Sequence, residues 1–308
     1  MKIRNIILSV VLLLMIVNVL MAGFNFGHIS AVKRKIKELE DQVDTEFIEL
    51  DSIIGGAYNT NIKLTKSNSP YIVNDHLLSQ HRCVIEPGVI IKVENGFIFS
   101  CDQLTAEGTE NNPIVFTSVK ENPESGDWSG LQINGGPRII ENSSIKYATI
   151  EYADTGIKIS YSGVGASQRI VNTSIRNCNT GVSLYELGTN AIIMNNIFSG
   201  NSYSLRCNNS GNAEVTYNNF EDFNHGIALD PEAGTVKINK NNIVGSSGLI
   251  NNLIENFTEK TINAEYNWFG TTDTIKIENL IYDDNDDSTK GEIDFMPIQI
   301  SSITEAGF

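Results

Sequence analysis

The chain has 308 residues, long enough for one large domain or two smaller ones, and its hydrophobic share of 41% is ordinary for a globular protein. It carries 22 Lys and Arg against 37 Asp and Glu, a formal charge of -15. The main basic run, Lys33 to Lys37, lies within a helical pattern. Since a nucleic-acid partner needs a concentrated basic surface, this balance argues against nucleic-acid binding.

The N-terminus has the pattern of a membrane-targeting segment. Lys2 and Arg4 precede an apolar run from Ile6 to Ala22, which is at the short end for a spanning helix and slightly long for a signal-peptide core. Leu20 is bulky for a cleavage motif that ends at Ala22, which favours an uncleaved anchor. Residues 1–27 are therefore predicted to be a signal anchor, with a cleaved signal peptide as the alternative.

This segment predicts the location of the protein. A single-pass anchor places the C-terminal domain outside the cytoplasm at the cell membrane, where the N-terminal helix is the membrane contact. If the segment is cleaved, the protein is secreted.

A heptad pattern follows over residues 28–54 and stops at Gly55 and Gly56. Its apolar positions are Ile29, Val32, Ile36, Leu39, Val43, Leu50 and Ile53. The pattern predicts an amphipathic helix. Two interpretations stay open, a coiled-coil stalk that makes a homo-oligomer through residues 29–53, or a single helix that caps the next domain.

Four cysteines and four histidines are spread along the chain without metal-site or disulfide-framework spacing. They are Cys83, Cys101, Cys178 and Cys207, and His28, His76, His81 and His225. Buried free thiols are the favoured state, and pairing of Cys83 with Cys101 across neighbouring turns is the alternative. No cofactor and no metal site is predicted from them.

The second half of the chain contains a repeat with an apolar marker every 22 to 25 residues. The markers are Ile150, Ile175, Ile197, Phe220 and Ile243, and the residues before them are Thr149, Ser174, Asn196, Asn219 and Asn242. Alternating apolar residues after each marker indicate short strands with one buried face. The repeat predicts stacked coils of three strands, with an internal apolar ladder and a column of small amides and hydroxyls.

These residues resemble the right-handed parallel β-helix repeats of the pectin-lyase-like superfamily. Further motifs with this resemblance are Ile85-Glu86-Pro87-Gly88-Val89, Asn112-Pro113-Ile114, Gly126-Asp127-Trp128-Ser129-Gly130 and Asn267-Trp268-Phe269-Gly270. The resemblance covers about Ser69 to Ile298 and implies an all-β, right-handed parallel β-helix. We place this domain at 55–308, with a closing segment at about 270–308.

The resemblance leaves function open, because the superfamily includes lyases, hydrolases, epimerases, adhesins and inert spacers. A hydrolase of this group is expected to carry Asn-Thr-Asp, Asp-Asp, Gly-His-Gly and Arg-Ile-Lys on consecutive coils, and they are not assembled here. Asn224-His225-Gly226 lacks the first glycine. The sequence therefore leans against an enzyme.

Two weaker candidate sites remain. Asp283, Asn285 and Asp287 have the oxygen spacing of a calcium loop, but Ser288 replaces its glycine, so a solvated loop is favoured over calcium. The column after the marker reads Glu151, Arg176, Phe198, Glu221 and Val244, in which Glu151 and Arg176 are first of all a cross-strand ion pair.

Tyr161 and Tyr185 follow the apolar pairs of neighbouring coils, where their rings could stack on sugars. Glu151, Arg176, Tyr161 and Tyr185 are the candidate substrate-binding residues. The predicted function is an extracytoplasmic, membrane-anchored module that binds polysaccharide or has a structural role in the cell envelope. The alternative is a carbohydrate-active enzyme, a polysaccharide lyase or glycoside hydrolase with a non-standard site.

Overall fold

The computed structural model describes residues 47–135, 142–160, 167–185, 190–209, 211–245 and 252–308. These residues form 26 strands, a short 3-10 turn (Lys66–Asn68) and one helix, α1 (Thr274–Glu278). Within the described ranges no helix has the length and hydropathy needed to cross a membrane. The predicted anchor, and the predicted amphipathic helix up to residue 46, lie outside the described residues.

The strands form three parallel sheets, which the chain visits in turn. Sheet 1 contains the first parts of β2 (Ile53–Tyr58) and β4 (Tyr71–Ile85), then β5 (Ile90–Val93), β7 (Ile114–Ser118), β10 (Ala148–Glu151), β13 (Ser174–Arg176), β16 (Ile197–Ser199), β19 (Asn219–Glu221) and β22 (Asn242–Val244). Each strand pairs with its equivalent in the next coil.

Sheet 2 follows a turn after sheet 1. It contains the middle parts of β2 and β4, the first part of β6 (Ile98–Glu107), then β8 (Trp128–Ile133), β11 (Ala153–Ile159), β14 (Thr180–Leu184), β17 (Tyr203–Cys207), β20 (His225–Leu229), β23 (Asn252–Asn256) and β25 (Ile281–Tyr282).

Sheet 3 closes each coil. It contains β1 (Phe47–Glu49), β3 (Asn61–Leu64), the last parts of β4 and β6, then β9 (Ser144–Lys146), β12 (Gln168–Val171), β15 (Asn190–Met194), β18 (Asn212–Thr216), β21 (Val236–Asn239), β24 (Ile262–Asn263) and β26 (Ile293–Asp294). About nine coils result, and the predicted right-handed parallel β-helix is confirmed.

The β-helix begins earlier than predicted, because residues 47–54 are not the end of an amphipathic helix. Phe47–Glu49 and Ile53–Tyr58 are strands, and the compact unit extends from Ile48 to Phe308. The last two heptad positions differ in exposure, since Leu50 is buried and Ile53 is 67% exposed, while Ile54 is buried. Ile53 and Ile54 point to opposite faces of β2, which pairs in register with β4, so these positions do not form a helical face.

The apolar ladder has a different member from the one predicted for the third coil. The register runs Ile150, Ile175, Phe198, Phe220 and Ile243, with Phe198 in the place predicted for Ile197. Phe198 is fully buried and stacks on Phe220, with ring centroids 4.6 Å apart. The outward column therefore reads Glu151, Arg176, Ser199, Glu221 and Val244, so the prediction of Phe198 in that column is wrong.

The predicted polar column is also displaced by one residue in most coils. Its fully buried members are Thr173, Asn196, Asn218, Asn241 and Asn267. The Oδ1 atom of each asparagine accepts the backbone N–H of the previous member at 2.8–2.9 Å. The amide NH2 of Asn196, Asn218 and Asn241 donates to the Oδ1 of the next member at 2.9–3.0 Å. This amide ladder satisfies backbone groups at the turn before sheet 1 without water.

Glycines within the sheet 2 strands allow neighbouring coils to approach closely. A Cβ atom at Gly156 would lie 2.6 Å from the Gly181 carbonyl oxygen, and one at Gly181 would lie 2.6 Å from the Ser204 oxygen. The repeated glycine of the sequence therefore reflects packing between backbones.

The C-terminal tail turns back along the outer face of sheet 1. The Asn242 amide binds Ile303 through two hydrogen bonds, from Ile303 N–H to Oδ1 and from Nδ2 to the Ile303 carbonyl. Gly307 N–H donates to the Tyr217 carbonyl at 2.9 Å, and Phe308 contacts the Tyr147 ring edge-on. The tail therefore covers Asn242, which belongs to the row of sheet 1 residues that directly precede the apolar ladder residues.

The corrected register predicts unequal effects for two adjacent residues. Phe198→Ala is expected to lower the free energy of unfolding by about 3–5 kcal/mol, because it removes a buried, stacked ring. Ile197→Ala, at a partly exposed position, is expected to cost less than half as much. Urea denaturation of both variants checks this, and a larger loss for Ile197→Ala would restore the register read from the sequence.

Candidate functional site

Glu151 and Arg176 form the ion pair expected from their spacing. They are register partners at the ends of β10 and β13, and Arg176 Nε lies 2.8 Å from Glu151 Oε2. The other oxygen of Glu151 accepts the Thr117 hydroxyl at 2.9 Å, and Glu151 is only 9% exposed. Both carboxylate oxygens are therefore engaged in the fold, which favours a structural role over substrate contact.

Tyr185, one of the two predicted tyrosines, does not join Glu151 and Arg176. Tyr185 directly follows β14, at the end of sheet 2, whereas Glu151 and Arg176 end strands of sheet 1. Tyr185 is 37% exposed, and the Lys158 ammonium lies 4.9 Å from its ring centroid. Tyr161 lies outside the described residues. Among the described candidates, Tyr185 therefore lies on a different sheet from Glu151 and Arg176.

In the closing segment, the residues with the spacing of a calcium loop stabilise turns through hydrogen bonds of their carboxylates. Asp283 is buried, and its two oxygens accept the backbone N–H groups of Asn285 and Ile293 at 3.0 Å. Asp287 Oδ1 accepts the N–H and hydroxyl of Thr289, and these bonds lower the pKa of the Asp287 carboxyl. Among the described residues, no group of three or more His, Cys, Asp or Glu is arranged to hold a metal ion.

The outer face of sheet 2 carries a cluster of interacting polar side chains that the sequence did not reveal. Tyr203 and His225 are register partners, and their rings stack with centroids 4.1 Å apart. His225 Nδ1 lies 2.9 Å from Glu255 Oε2, and the other Glu255 oxygen accepts the Asn252 amide at 2.5 Å. Glu255 is 5% exposed. We name Tyr203, His225, Asn252 and Glu255 the sheet 2 cluster.

This geometry fixes the orientation of the imidazole. When Glu255 is ionised it can only accept a hydrogen bond, so Nδ1 of His225 is the donor and Nε2 of the neutral ring is the acceptor. Stacking on Tyr203 restrains the ring plane. A carboxylate-oriented imidazole can accept a proton from a bound molecule, which is the chemistry of a general base.

A second ion pair borders the cluster. Arg206 Nη2 binds both oxygens of Asp230 at 3.0 Å, and the guanidinium lies 4.9 Å from the Tyr203 ring centroid. Tyr203 lies five residues after the ladder residue Phe198, and His225 lies five residues after Phe220. That common offset could have revealed the cluster from the sequence, but only with Phe198 in the ladder.

An open groove follows the coils where the chain enters sheet 3, and we name it the axial groove. It encloses about 290 Å³ and is lined by Ser167, Asn190, Ala191, Ile192, Asn212, Ala213, Glu214, Thr235 and Lys237. These residues belong to, or directly precede, β12, β15, β18 and β21. With coils about 4.8 Å apart, four coils give a groove about 14 Å long.

Polar side chains line the axial groove together with Ile192 and two buried alanines. The Asn212 amide donates to Asn190 Oδ1 at 3.2 Å, and Asn212 Oδ1 accepts the Thr235 N–H at 2.7 Å. Glu214 and Lys237 are register partners on adjacent coils, and both are exposed. In the described part of the chain neither forms an ion pair with a side chain within 4.0 Å, so both can interact with a ligand.

The three sheets, the amide ladder and the outward polar rows define a parallel β-helix protein whose lateral faces carry its candidate sites. The protein-family model for the right-handed β-helix region matches residues 104–269 of this chain. The chain therefore belongs to the right-handed β-helix family. No match to the chain was found among curated proteins or among solved structures.

Proposed function

We propose that the β-helix binds a linear polysaccharide along the axial groove and acts as an envelope module. The observation that carries the proposal is the direction of this groove, which runs across four successive coils parallel to the solenoid axis. An extended polymer can therefore contact equivalent positions on successive coils. A compact ligand would use one or two of them.

The lining of the axial groove supports a sugar ligand. Amide, hydroxyl and carboxylate groups of Asn190, Asn212, Thr235 and Glu214 can exchange hydrogen bonds with sugar hydroxyls.

Charge supports a neutral polymer over a polyanionic one. Glu214 and Lys237 contribute one charge of each sign to the axial groove, whereas the whole chain carries -15. A polyuronate would therefore approach against a negative field. The envelope location is part of the same proposal and is supported by the apolar run from Ile6 to Ala22.

The test is glycan binding by the full chain in mild detergent. Soluble neutral glucans and polyuronates are compared by calorimetry, and binding of a neutral polymer is expected. Glu214→Ala is expected to weaken that binding about fivefold to tenfold, through the loss of roughly 1–1.4 kcal/mol of hydrogen bonding. Glu221→Ala, at an exposed carboxylate on sheet 1, is the matched control and should leave affinity unchanged.

Two outcomes count against the proposal. One is the absence of binding to every neutral polymer tested. The other is an equal loss of affinity in Glu214→Ala and Glu221→Ala, which would place the bound polymer on a different surface.

A second candidate function is a carbohydrate-active enzyme with a non-standard site, and the sheet 2 cluster favours it. The buried Glu255 carboxylate orients His225 as a proton acceptor on an outer face of the solenoid. Cleavage of the polysaccharide during the binding experiment with the wild-type protein, but not with His225→Ala, would support this second function. Unchanged polymer length with the wild-type chain would count against it.

A further inference from the structure

Two cysteines meet in the core at a corner between consecutive coils. Cys101 on β6 pairs in register with Ser79 of β4, while Cys83 on β4 pairs with Leu104 of β6. The two cysteines therefore flank the same turn from sheet 2 to sheet 3, one on each coil. Both are fully buried, and the Cys83 thiol is near enough to contribute to the raised pKa of Cys101.

We propose that Cys83 and Cys101 are a disulfide-forming pair that cross-links two consecutive coils when the chain folds in an oxidising compartment. Consecutive coils lie about 4.8 Å apart, and the Cα atoms joined by a disulfide lie about 4.4–6.8 Å apart, so two side chains that enter the core at one corner can be linked. Both residues are free thiols in the structure.

The other two cysteines have different surroundings. Cys178 and Cys207 are also buried, and burial raises the pKa of each thiol to about 12. Cys178 donates to the Arg176 carbonyl at 3.4 Å. In contrast to Cys101, neither has another cysteine among the groups that raise its pKa. They are expected to stay reduced.

The reaction is thiol–disulfide exchange with a small disulfide oxidant such as glutathione disulfide. One cysteine thiolate attacks the oxidant and displaces a glutathione thiolate, which gives a mixed disulfide. The second cysteine attacks that bond and displaces the other glutathione. Two protein S–H bonds are lost, one S–S bond forms, and the oxidant leaves as two reduced thiols.

Burial determines when the exchange can occur. The folded core excludes solvent from both sulfur atoms, and desolvation raises the pKa of Cys101 well above its ordinary value. Because the thiolate is the nucleophile, exchange requires a chain that has not yet closed these coils. The bond then joins residues 18 positions apart and removes conformational freedom from the unfolded chain.

The experiment refolds the full, reduced chain from guanidinium in a glutathione redox buffer and, in parallel, with a reducing agent alone. Trypsin separates the four cysteines, because Lys92, Lys120 and Arg206 lie between them. Non-reducing mass spectrometry is expected to find Cys83 linked to Cys101. The thermal midpoint of the oxidised protein should exceed that of the reduced protein by several degrees.

Two variants distinguish this pair from general oxidation. Cys178→Ser with Cys207→Ser should keep both the cross-link and the difference in thermal midpoint between the two redox states. Cys83→Ser should lose both, whatever its own stability. Free Cys83 and Cys101 after oxidative refolding, glutathione adducts alone, or links that involve Cys178 or Cys207 would overturn the proposal.

Discussion

Ile175→Asp is expected to unfold the β-helix at room temperature. Ile175 is fully buried in the apolar ladder between Ile150 and Phe198, its register partners. A carboxylate at this position has no cation or polar partner from the ladder. Burial of an unpaired charge costs several kcal/mol or neutralises the group, and the cavity left by the lost apolar atoms adds to that cost.

The size of this effect is comparable to the whole stability of a typical domain, about 5–15 kcal/mol. Thermal melts and urea denaturation, followed by far-ultraviolet circular dichroism, measure it. Lys158→Ala is the control, because Lys158 faces outward on β11 and contacts the Tyr185 ring. That variant should lose no more than about 1 kcal/mol.

A milder substitution at the same position allows a measurement even if Ile175→Asp is not expressed as folded protein. Ile175→Val removes one methylene and should cost about 0.5–1.5 kcal/mol. If Ile175→Asp and Lys158→Ala have the same thermal midpoint, Ile175 does not lie in the core and the proposed stacking of coils is wrong.

The fold was readable from the sequence because a solenoid repeats the same constraint in every coil. Ile150, Ile175, Phe220 and Ile243 all lie in the ladder as predicted. A repeat of 22 to 25 residues with period-two alternation leaves few other architectures. The right-handed parallel β-helix followed from that repeat and from the family resemblance together.

The register of the third coil was predicted incorrectly, because Asn195-Asn196-Ile197 has the same sequence as Asn241-Asn242-Ile243. The structure aligns Asn196 with Asn218 and Asn241 in the amide ladder, which moves Phe198 into the core. In a strand, a shift of one residue exchanges the inner and outer faces. One misplaced marker was therefore enough to put an aromatic residue on the wrong side.

The same error concealed the sheet 2 cluster. Tyr203 and His225 share an offset of five residues only from Phe198 and Phe220. Glu255 was harder to place, because its strand begins at Asn252, nine residues after Ile243, whereas His225 follows Phe220 by five. Contacts between coils of unequal length depend on insertions that a repeat pattern does not measure.

The start of the domain was misjudged for a different reason. Leu50 and Ile53 continue a heptad that begins at Ile29, and a short apolar spacing fits a helix and a pair of short strands equally well. Pairing with later strands decides between them, since β2 is in register with β4 over Ile53 and Ile54. That pairing is a tertiary contact and is absent from local periodicity.

Asn218→Ala is expected to be the most destabilising removal of a single polar side chain. Asn218 lies in the middle of the amide ladder, fully buried. Its Oδ1 accepts the N–H and the side-chain amide of Asn196, both at 2.9 Å. Its NH2 donates to the carbonyls of Ile193 and Thr216 and to Asn241 Oδ1 at 2.9–3.0 Å.

Alanine leaves these partners buried without their hydrogen bonds. Each unsatisfied buried group costs about 1–3 kcal/mol, so a loss of roughly 3 kcal/mol or more is expected even if some partners find new contacts. Asn179→Ala is the matched control, since Asn179 is exposed and its amide donates to Asp154 at 2.9 Å. Its expected loss is within about 0.5 kcal/mol.

Asn218→Thr separates the ladder from simple loss of volume. Threonine occupies the same column at Thr173, where its hydroxyl donates to the carbonyl of Val171, two residues earlier. The equivalent bond from position 218 to Thr216 would survive, while the acceptor for Asn196 N–H would be lost. Stability between that of wild type and Asn218→Ala is therefore expected, with faster hydrogen exchange at the Asn196 amide in both variants. Equal stability of Asn218→Ala and Asn179→Ala would show that the ladder contributes no more than a surface amide.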